Sequence, residues 1–380
     1  MTPITRDRPF LLLVALLVIL SVAMPLLTGT GLAPSRYLTN AIGQLAAFAV
    51  LALALDLIWG YLGILSLGHG LFFAIGGYVV AMYLLKHSFV VTGTVPDFLQ
   101  FMGWKEFPFY WAGFEFFPYA LGVAVAVTLL VSGIFGYVSF RSRVGGVYFA
   151  IITQALVYVA MLLMFRNDTG FGGNNGMTGF SVILGQPMGT SGMITALAVA
   201  SLVTLALVLV GCRWLVGSRF GALMLATRDD ETRLRTLGYE TLRLKLIVWC
   251  LSALLAMLAG MLYVPQVGII NPRVLSPELS LEIAVWVAIG GRGHLVGAVI
   301  GALLVNALKF WLSSAAPDVW PFILSGLIVL VVLVFPNGLM DLAKFRLTRP
   351  MGPKRMEPNR MEPNRMEPNR MARGIGEARP

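Results

Sequence analysis

Charge is what this chain has least of. Asp, Glu, Lys and Arg supply 12% of its 380 residues, about half the share of an ordinary soluble domain, so the sequence does not provide a water-facing globular surface. Cysteine is nearly absent: Cys212 and Cys250 are the whole complement, with neither CxxC nor metal-ligand spacing. That excludes a disulfide scaffold and a cysteine-held metal, and leaves both as small packing residues. The three histidines, His69, His87 and His294, are scattered, and no HExxH or GxSxG occurs. Lysine never follows glycine, so there is no GxxxxGK[ST] phosphate loop, and the chain is not expected to hydrolyse nucleotide itself. The stretch GGRG at 290–293 lacks the further glycine and preceding strand of a dinucleotide loop. The net charge of +10 lies mostly in a few connecting segments and the C-terminal tail. Such a distribution argues against nucleic-acid binding and points to membrane topology.

What is present is apolar: 58% of residues are hydrophobic and the mean hydropathy is +0.82. A helical span needs about 20 apolar residues, and ten candidates follow: 10–28, 38–59, 62–85, 117–140, 145–165, 191–215, 243–264, 278–290, 294–313 and 319–336. The first carries a basic flank and a passable cleavage site at Ser21-Val22-Ala23. It can be read as a signal peptide, but the many spans behind it favour an uncleaved first helix. With the N-terminus inside, Arg6, Arg8, Arg141, Arg143, the 213–245 cluster, Arg292 and the tail fall in the cytoplasm. Outside remain Arg36, Lys86, Lys105, Arg166 and Arg273. The expected fold is all-α and polytopic, with both termini cytoplasmic and a transmembrane domain over 1–342. Residues 343–380 follow as a tail containing three copies of MEPNR at 356–370. A proline every fifth residue excludes a helix there and predicts disorder.

Glycine-rich interruptions, GYLGILSLGHG at 60–70 and GGRGHLVG at 290–297, predict broken helices lining a cavity, because freed backbone groups find no partner in lipid. Polar residues within spans are costly and mark candidate pathway positions. These are Asn40, Gln44, Asp56, Ser66, His69, Glu282 and Asn306. Asp56 reads equally as a packing residue bonded to neighbouring backbone, and His69 reads more simply as a structural hydrogen-bonder than as a proton carrier. The loop at 86–117 is crowded with aromatics, including Trp104, Tyr110 and Trp111. It is either an interfacial belt or a docking surface for an external partner. A second external loop, 166–190, holds six Gly or Asn residues between 170 and 176. It is a turn, or an entrance for a small hydrogen-bonding solute at Asn174 and Asn175.

The segment 218–241 is charged where its neighbours are apolar. Ser218 can cap a helix, Phe220, Leu223, Met224, Thr227, Glu231 and Leu234 recur at helical spacing, and Gly238 can stop it. One face is apolar and the other carries Arg228, Asp229, Arg233 and Arg235. The helix could lie on membrane lipid. The acidic run Asp229-Asp230-Glu231 would be repelled by an anionic leaflet, which favours a protein partner.

Four stretches, 55–78, 218–238, 251–263 and 276–304, together resemble in order the permease subunits of branched-chain amino-acid ABC importers. The aromatic insert ending WKEFPFYWAGFEFF and the loop FRNDTGFGGNNGMTGF are similar to the urea-transport branch of that family. The resemblance implies a transport subunit, not an enzyme, moving urea or a close amide in a bacterial inner membrane. It implies pairing with a sister permease, two cytoplasmic ATPases and an external solute-binding protein, with ATP and Mg held by the ATPases and no cofactor in this chain. Segment 218–241 would be the coupling helix, with Phe220, Leu223, Arg228, Asp229, Asp230, Glu231, Leu234 and Gly238 as contacts. Two departures stand out. Thr232-Arg233-Leu234-Arg235 replaces the usual alanine-rich run, and Asp56 stands where amino-acid relatives commonly have asparagine. A branched-chain amino-acid permease is the alternative reading within transport. A passive channel, or an intramembrane enzyme using Asp56 and His69, is the alternative outside it.

Overall fold

The computed structural model describes residues 8–28, 34–93, 95–101, 103, 106–319 and a few positions between 322 and 340. The span expected at 319–336, the MEPNR tail, Arg6, Trp104 and Lys105 lie wholly or largely outside the described residues. Twelve α-helices are described: α1 (Arg8–Leu27), α2 (Arg36–Trp59), α3 (His69–Thr92), α4 (Asp97–Phe101), α5 (Phe117–Arg141), α6 (Val147–Met164), α7 (Ser191–Gly217), α8 (Arg219–Asp229), α9 (Glu231–Thr236), α10 (Thr241–Val267), α11 (Pro277–Gly290) and α12 (Leu295–Ala315). Among the described residues, eight are long and apolar enough to cross a membrane: α1, α2, α3, α5, α6, α7, α10 and α12. The all-α polytopic class expected from the sequence is the one found.

The bundle is organised around α2. Ser35 opens this helix by accepting a hydrogen bond from the Leu38 amide at 3.2 Å. From Ala46 to Ile58 all but half-buried Phe48 are buried. This all-round burial follows from the sequence AAFAVLALAL, whose small residues let α7, α10 and α12 approach on different sides. The tightest crossing is between α3 and α10. A Cβ built on Gly260 would lie 1.9 Å from the Phe73 carbonyl oxygen, so the two backbones touch and no side chain fits between them. Trp249 of α10 fixes α5 by donating its indole N–H to the Ser132 carbonyl at 3.0 Å.

Two expected helices are corrected. The third span begins at His69 rather than at 62, and residues 62–68 form an irregular connection. Gly63 takes a positive φ of 79°, and side chains replace the missing helical ladder. The Leu67 amide donates to Thr153 Oγ1 at 3.1 Å and the Gly68 amide to Ser66 Oγ at 3.0 Å. The charged segment is two helices, not one, because Asp230 leaves helical geometry (φ −156°, ψ 94°) between α8 and α9.

Among the described residues, four two-residue strands form two antiparallel pairs: β1 (Met177–Thr178) with β4 (Ile269–Ile270), and β2 (Val182–Ile183) with β3 (Gln186–Pro187). In the first, Met177 lies opposite Ile270. Helix α11 has only 14 residues, about 21 Å of rise, against a hydrocarbon thickness of about 30 Å. The segment before it contains β4 and a 3-10 turn at Pro272–Leu275, and is held by the β1 pairing and by bonds from the Val274 amide to the Asn271 carbonyl and from the Ser276 amide to the Arg273 carbonyl.

Candidate functional site

The polar residues singled out from the sequence do not form one cluster. Ser66 and His69 sit at the break between α2 and α3, both about 1% exposed. His69 Nε2 is 2.6 Å from Ser252 Oγ, whose hydroxyl donates to the Ala54 carbonyl at 2.6 Å. The serine proton is thereby committed, so the imidazole carries its hydrogen on Nε2 and donates it, a structural bond that ties α3 and α10 to α2. Asp56 is fully buried, and its Oδ1 accepts the Gly293 amide at 2.8 Å. This is the packing arrangement the sequence allowed for it, with a loop backbone as partner. Asn306 is buried and donates to Ala302 of its own helix at 2.9 Å. Asn40 and Gln44 are half-buried near the start of α2, while Asn174 and Asn175 are exposed in a 3-10 turn.

Glu282 has a different setting. It forms both arms of an ion pair with Lys309 of α12, each oxygen 2.9 Å from Nζ. The pair lines a cleft of about 240 Å³ together with the polar residues Arg273, Glu278 and Asn271 and the apolar residues Phe48, Phe73, Tyr263 and Leu279. One cleft thus joins charges of both signs to an aromatic and aliphatic wall. Lys309, Arg273 and Glu278 were not among the expected pathway residues. A lysine inside the apolar run NALKFWL was the available signal.

The loops near this cleft are stitched to one another. Lys86 pairs with Glu115 at 3.1 Å and lies 4.8 Å over the Phe107 ring. The Tyr110 hydroxyl donates to the Thr169 carbonyl. Ser88 Oγ accepts the amides of Ser181 and Val182 at 3.3 Å each. The Gly/Asn loop uses positive φ at Gly172, Gly173 and Gly176, as its composition predicted, and the next residues are β1. Through β1 and β4 the loop is joined to the backbone that leads into Asn271.

At the opposite end of the bundle, Ser218 caps α8, accepting from the amides of Phe220 at 3.2 Å and Gly221 at 3.4 Å. Asp230 caps α9 through the Arg233 amide at 2.9 Å. The apolar face of α8 turns into the protein: Gly221, Met224 and Thr227 are buried and Phe220 and Leu223 pack on the main core. Leu234 is buried as well. Glu231 is engaged within the chain by Lys245 at 2.5 Å, Arg235 at 2.6 Å and Thr241 at 3.0 Å. Burial pushes its carboxyl up, but these partners outweigh that and hold it below the usual glutamate range. Arg228 stays partly exposed, pairs with Asp229 at 3.4 Å, and donates through Nη1 to the Gly60 carbonyl at 2.7 Å. The outward surface is formed by Asp229, Asp230, Thr232, Arg233, Gly238 and two exposed hydrophobic residues, Leu237 and Tyr239.

The described residues thus form a bundle of hydrophobic helices with an ion-paired cleft and a charged helical segment. The chain belongs to the family described as the branched-chain amino acid transport system permease component, whose profile matches residues 37–333. It is similar to the high-affinity branched-chain amino acid transport system permease protein LivM of Escherichia coli strain K12, with 27% identity over 370 residues, 91% of this chain and 78% of that one. It is 22% identical to the BraD permease of the corresponding system in Pseudomonas aeruginosa, over 80% of this chain and 95% of that one. A shorter likeness, 32% over 141 residues, covers 35% of this chain and 40% of the autoinducer 2 import system permease protein LsrC of Yersinia pestis. No solved structure matches. The protein is therefore a multi-pass inner-membrane permease of an ABC-type importer, a transport subunit and not an enzyme, whose family works with a partner ATPase and a solute-binding protein.

Proposed function

We propose that this permease imports an apolar α-amino acid, and that the cleft at Glu282 and Lys309 lies on its path. The observation that carries the reading is the ion pair itself, in a cleft with an aromatic wall. A zwitterion can exchange its own ammonium and carboxylate for the two partners of such a pair, while an aliphatic side chain rests against Phe48, Phe73 and Tyr263. The likeness to LivM and BraD along most of the chain supports the same reading. The expectation of urea, or a close amide, rested on a nearly uncharged pathway and on the two loops. Glu282, Lys309, Arg273 and Glu278 remove the first of those grounds.

In this reading the chain pairs with a sister permease as a heterodimer, and two cytoplasmic ATPases hold the ATP and Mg. The end bearing α8 and α9 faces the cytoplasm, and the solute-binding protein docks outside on the 86–117 and 166–190 loops. Asp229, Asp230, Arg233, Leu237 and Tyr239 are the ATPase contacts, since the apolar residues of α8 are engaged inside. Gly238 shapes that surface, and Glu231 and Leu234 hold it in place. Membrane lipid surrounds the bundle. The test is uptake of labelled leucine and labelled urea in cells carrying the permease with its partners. ATP-dependent leucine uptake that collapses in Lys309→Ala supports the proposal, and urea uptake without leucine uptake refutes it.

A further inference from the structure

Helix α2 ends at Trp59, and the residues just past it are held from two directions. The guanidinium of Arg228 on α8 donates to the Gly60 carbonyl at 2.7 Å. One turn earlier, buried Asp56 accepts the Gly293 amide at 2.8 Å. There is no slack between these contacts. A Cβ on Gly60 would lie 2.2 Å from Asp56 Oδ1 and 2.3 Å from the Gly293 nitrogen, and one on Gly63 would lie 2.6 Å from Arg228 Cγ. The neighbouring Arg292 guanidinium sits 5.1 Å over the Trp59 ring and holds the same loop to the same helix end. That loop joins α11, which carries Glu282, to α12, which carries Lys309.

We propose that Arg228 and Asp56 act in series as positioning residues, so that displacement of α8 moves the Gly291–His294 loop, and with it the two helices that form the ion-paired cleft. A charge-assisted bond to a backbone carbonyl transmits a pull on α8 to the end of α2. A buried carboxyl bonded to a backbone amide transmits it onward to the loop. Asp56 Oδ2 is buried with no hydrogen-bond partner among the described residues. Such an orphan acceptor calls for a reason, and a second position of the loop amides supplies one, with the loop held by one oxygen in one state and by both in the other. Neither residue lines the ion-paired cleft, so in this proposal both act on coupling and not on recognition.

The inference rests on the reading of the chain as an ATP-driven permease, and the experiment separates the two. The assembled importer is reconstituted in vesicles, and uptake and ATP hydrolysis are measured together. Wild-type uptake that needs no ATP would overturn the reading itself. Given ATP-dependent uptake, Arg228→Ala and Asp56→Ala should each lower the solute moved per ATP hydrolysed by about tenfold, within the span of ordinary coupling energies. ATP turnover and solute affinity should stay near wild type. Asp56→Asn keeps the Oδ1 acceptor but puts a donor where Oδ2 was, so it should hold the loop as seen here yet fall short of wild-type coupling, losing less than Asp56→Ala. The double alanine variant should be no worse than either single one, because two links in series fail together. Unchanged coupling in either alanine variant, or losses that add, overturns the relay. Loss of ATPase binding in Arg228→Ala also overturns it, by making that residue a docking contact. The Arg228 side chain is 40% exposed, so its truncation leaves the core intact and decides the matter should Asp56→Ala fail to assemble.

Discussion

Glu282 and Lys309 illustrate how one residue changes what another means. Glu282 alone, near the start of an apolar helix, reads as a pathway residue of no particular kind. Beside Lys309 it becomes half of a bidentate pair with side chains 15% and 34% exposed. Such a pair is worth less than the cost of breaking it, because the survivor keeps its charge in a poorly hydrated place. Glu282→Gln is expected to destabilise the permease by about 2 kcal/mol and to raise the half-saturating solute concentration. Lys309→Met in the same background should restore the stability but not the uptake. Thermal unfolding in detergent and transport in vesicles check the two halves separately. The residues legible in advance were those whose cost is local: a carboxyl in an apolar run is visible as such. Its partner 27 positions away was visible only as a second anomaly, and pairing them needed the hairpin of α11 and α12.

At the level of the element, the charged segment shows where helical spacing stops being informative. Its start was legible, since Ser218 before a periodic run is a local signal and the cap forms as expected. Its interior was not, because Asp230 fits the same run as an exposed acidic residue and as a cap for a second helix. Its apolar face was legible as a stripe but not by destination. The same stripe suits a partner's groove or the protein's own core, and here Phe220, Leu223 and Met224 are taken by the core. Asp230→Ala should cost α9 about 1 kcal/mol, read as faster amide exchange from Arg233 to Thr236 with α10 unaffected. The ties from Glu231 to Lys245 and Arg235 give this element a pH dependence. The carboxyl is held below its usual range, so the stabilisation is full above the unfolded glutamate value of about 4.3. It disappears as pH falls through the lower folded value. Protection of the α9 amides, taken relative to their intrinsic exchange rate at each pH, should therefore be flat from neutral pH to about pH 5 and should fall only in stronger acid. A change near neutrality would show that another group governs it.

For the whole molecule, hydropathy revealed eight of the ten expected spans among the described residues, because a membrane rewards length and apolarity over everything else; the stretch 278–290 is a helix too short to be one of them. Hydropathy misplaced the start of α3, where serine and threonine side chains stand in for helical bonds. Alternation of the helices puts residues 141–146, 217–241 and 291–294 at one end and the described residues of 93–116, with 165–190 and 268–276, at the other. In the proposed orientation, a cysteine at Arg233 should react with an impermeant thiol reagent only from the cytoplasmic side, and one at Asn175 only from outside. Labelling of both from one side would invert the reading. The bond from the Gly293 amide to Asp56 bears on a stage before any transport. The two residues are 237 positions apart, and at about 5–20 residues per second the ribosome needs roughly 12 to 50 s to cover that distance. For that interval α2 is already in the bilayer with a carboxyl whose donor has not been synthesised. The newborn chain thus carries a polar group exposed to premature disposal, and only arrival of the α11–α12 hairpin closes that window.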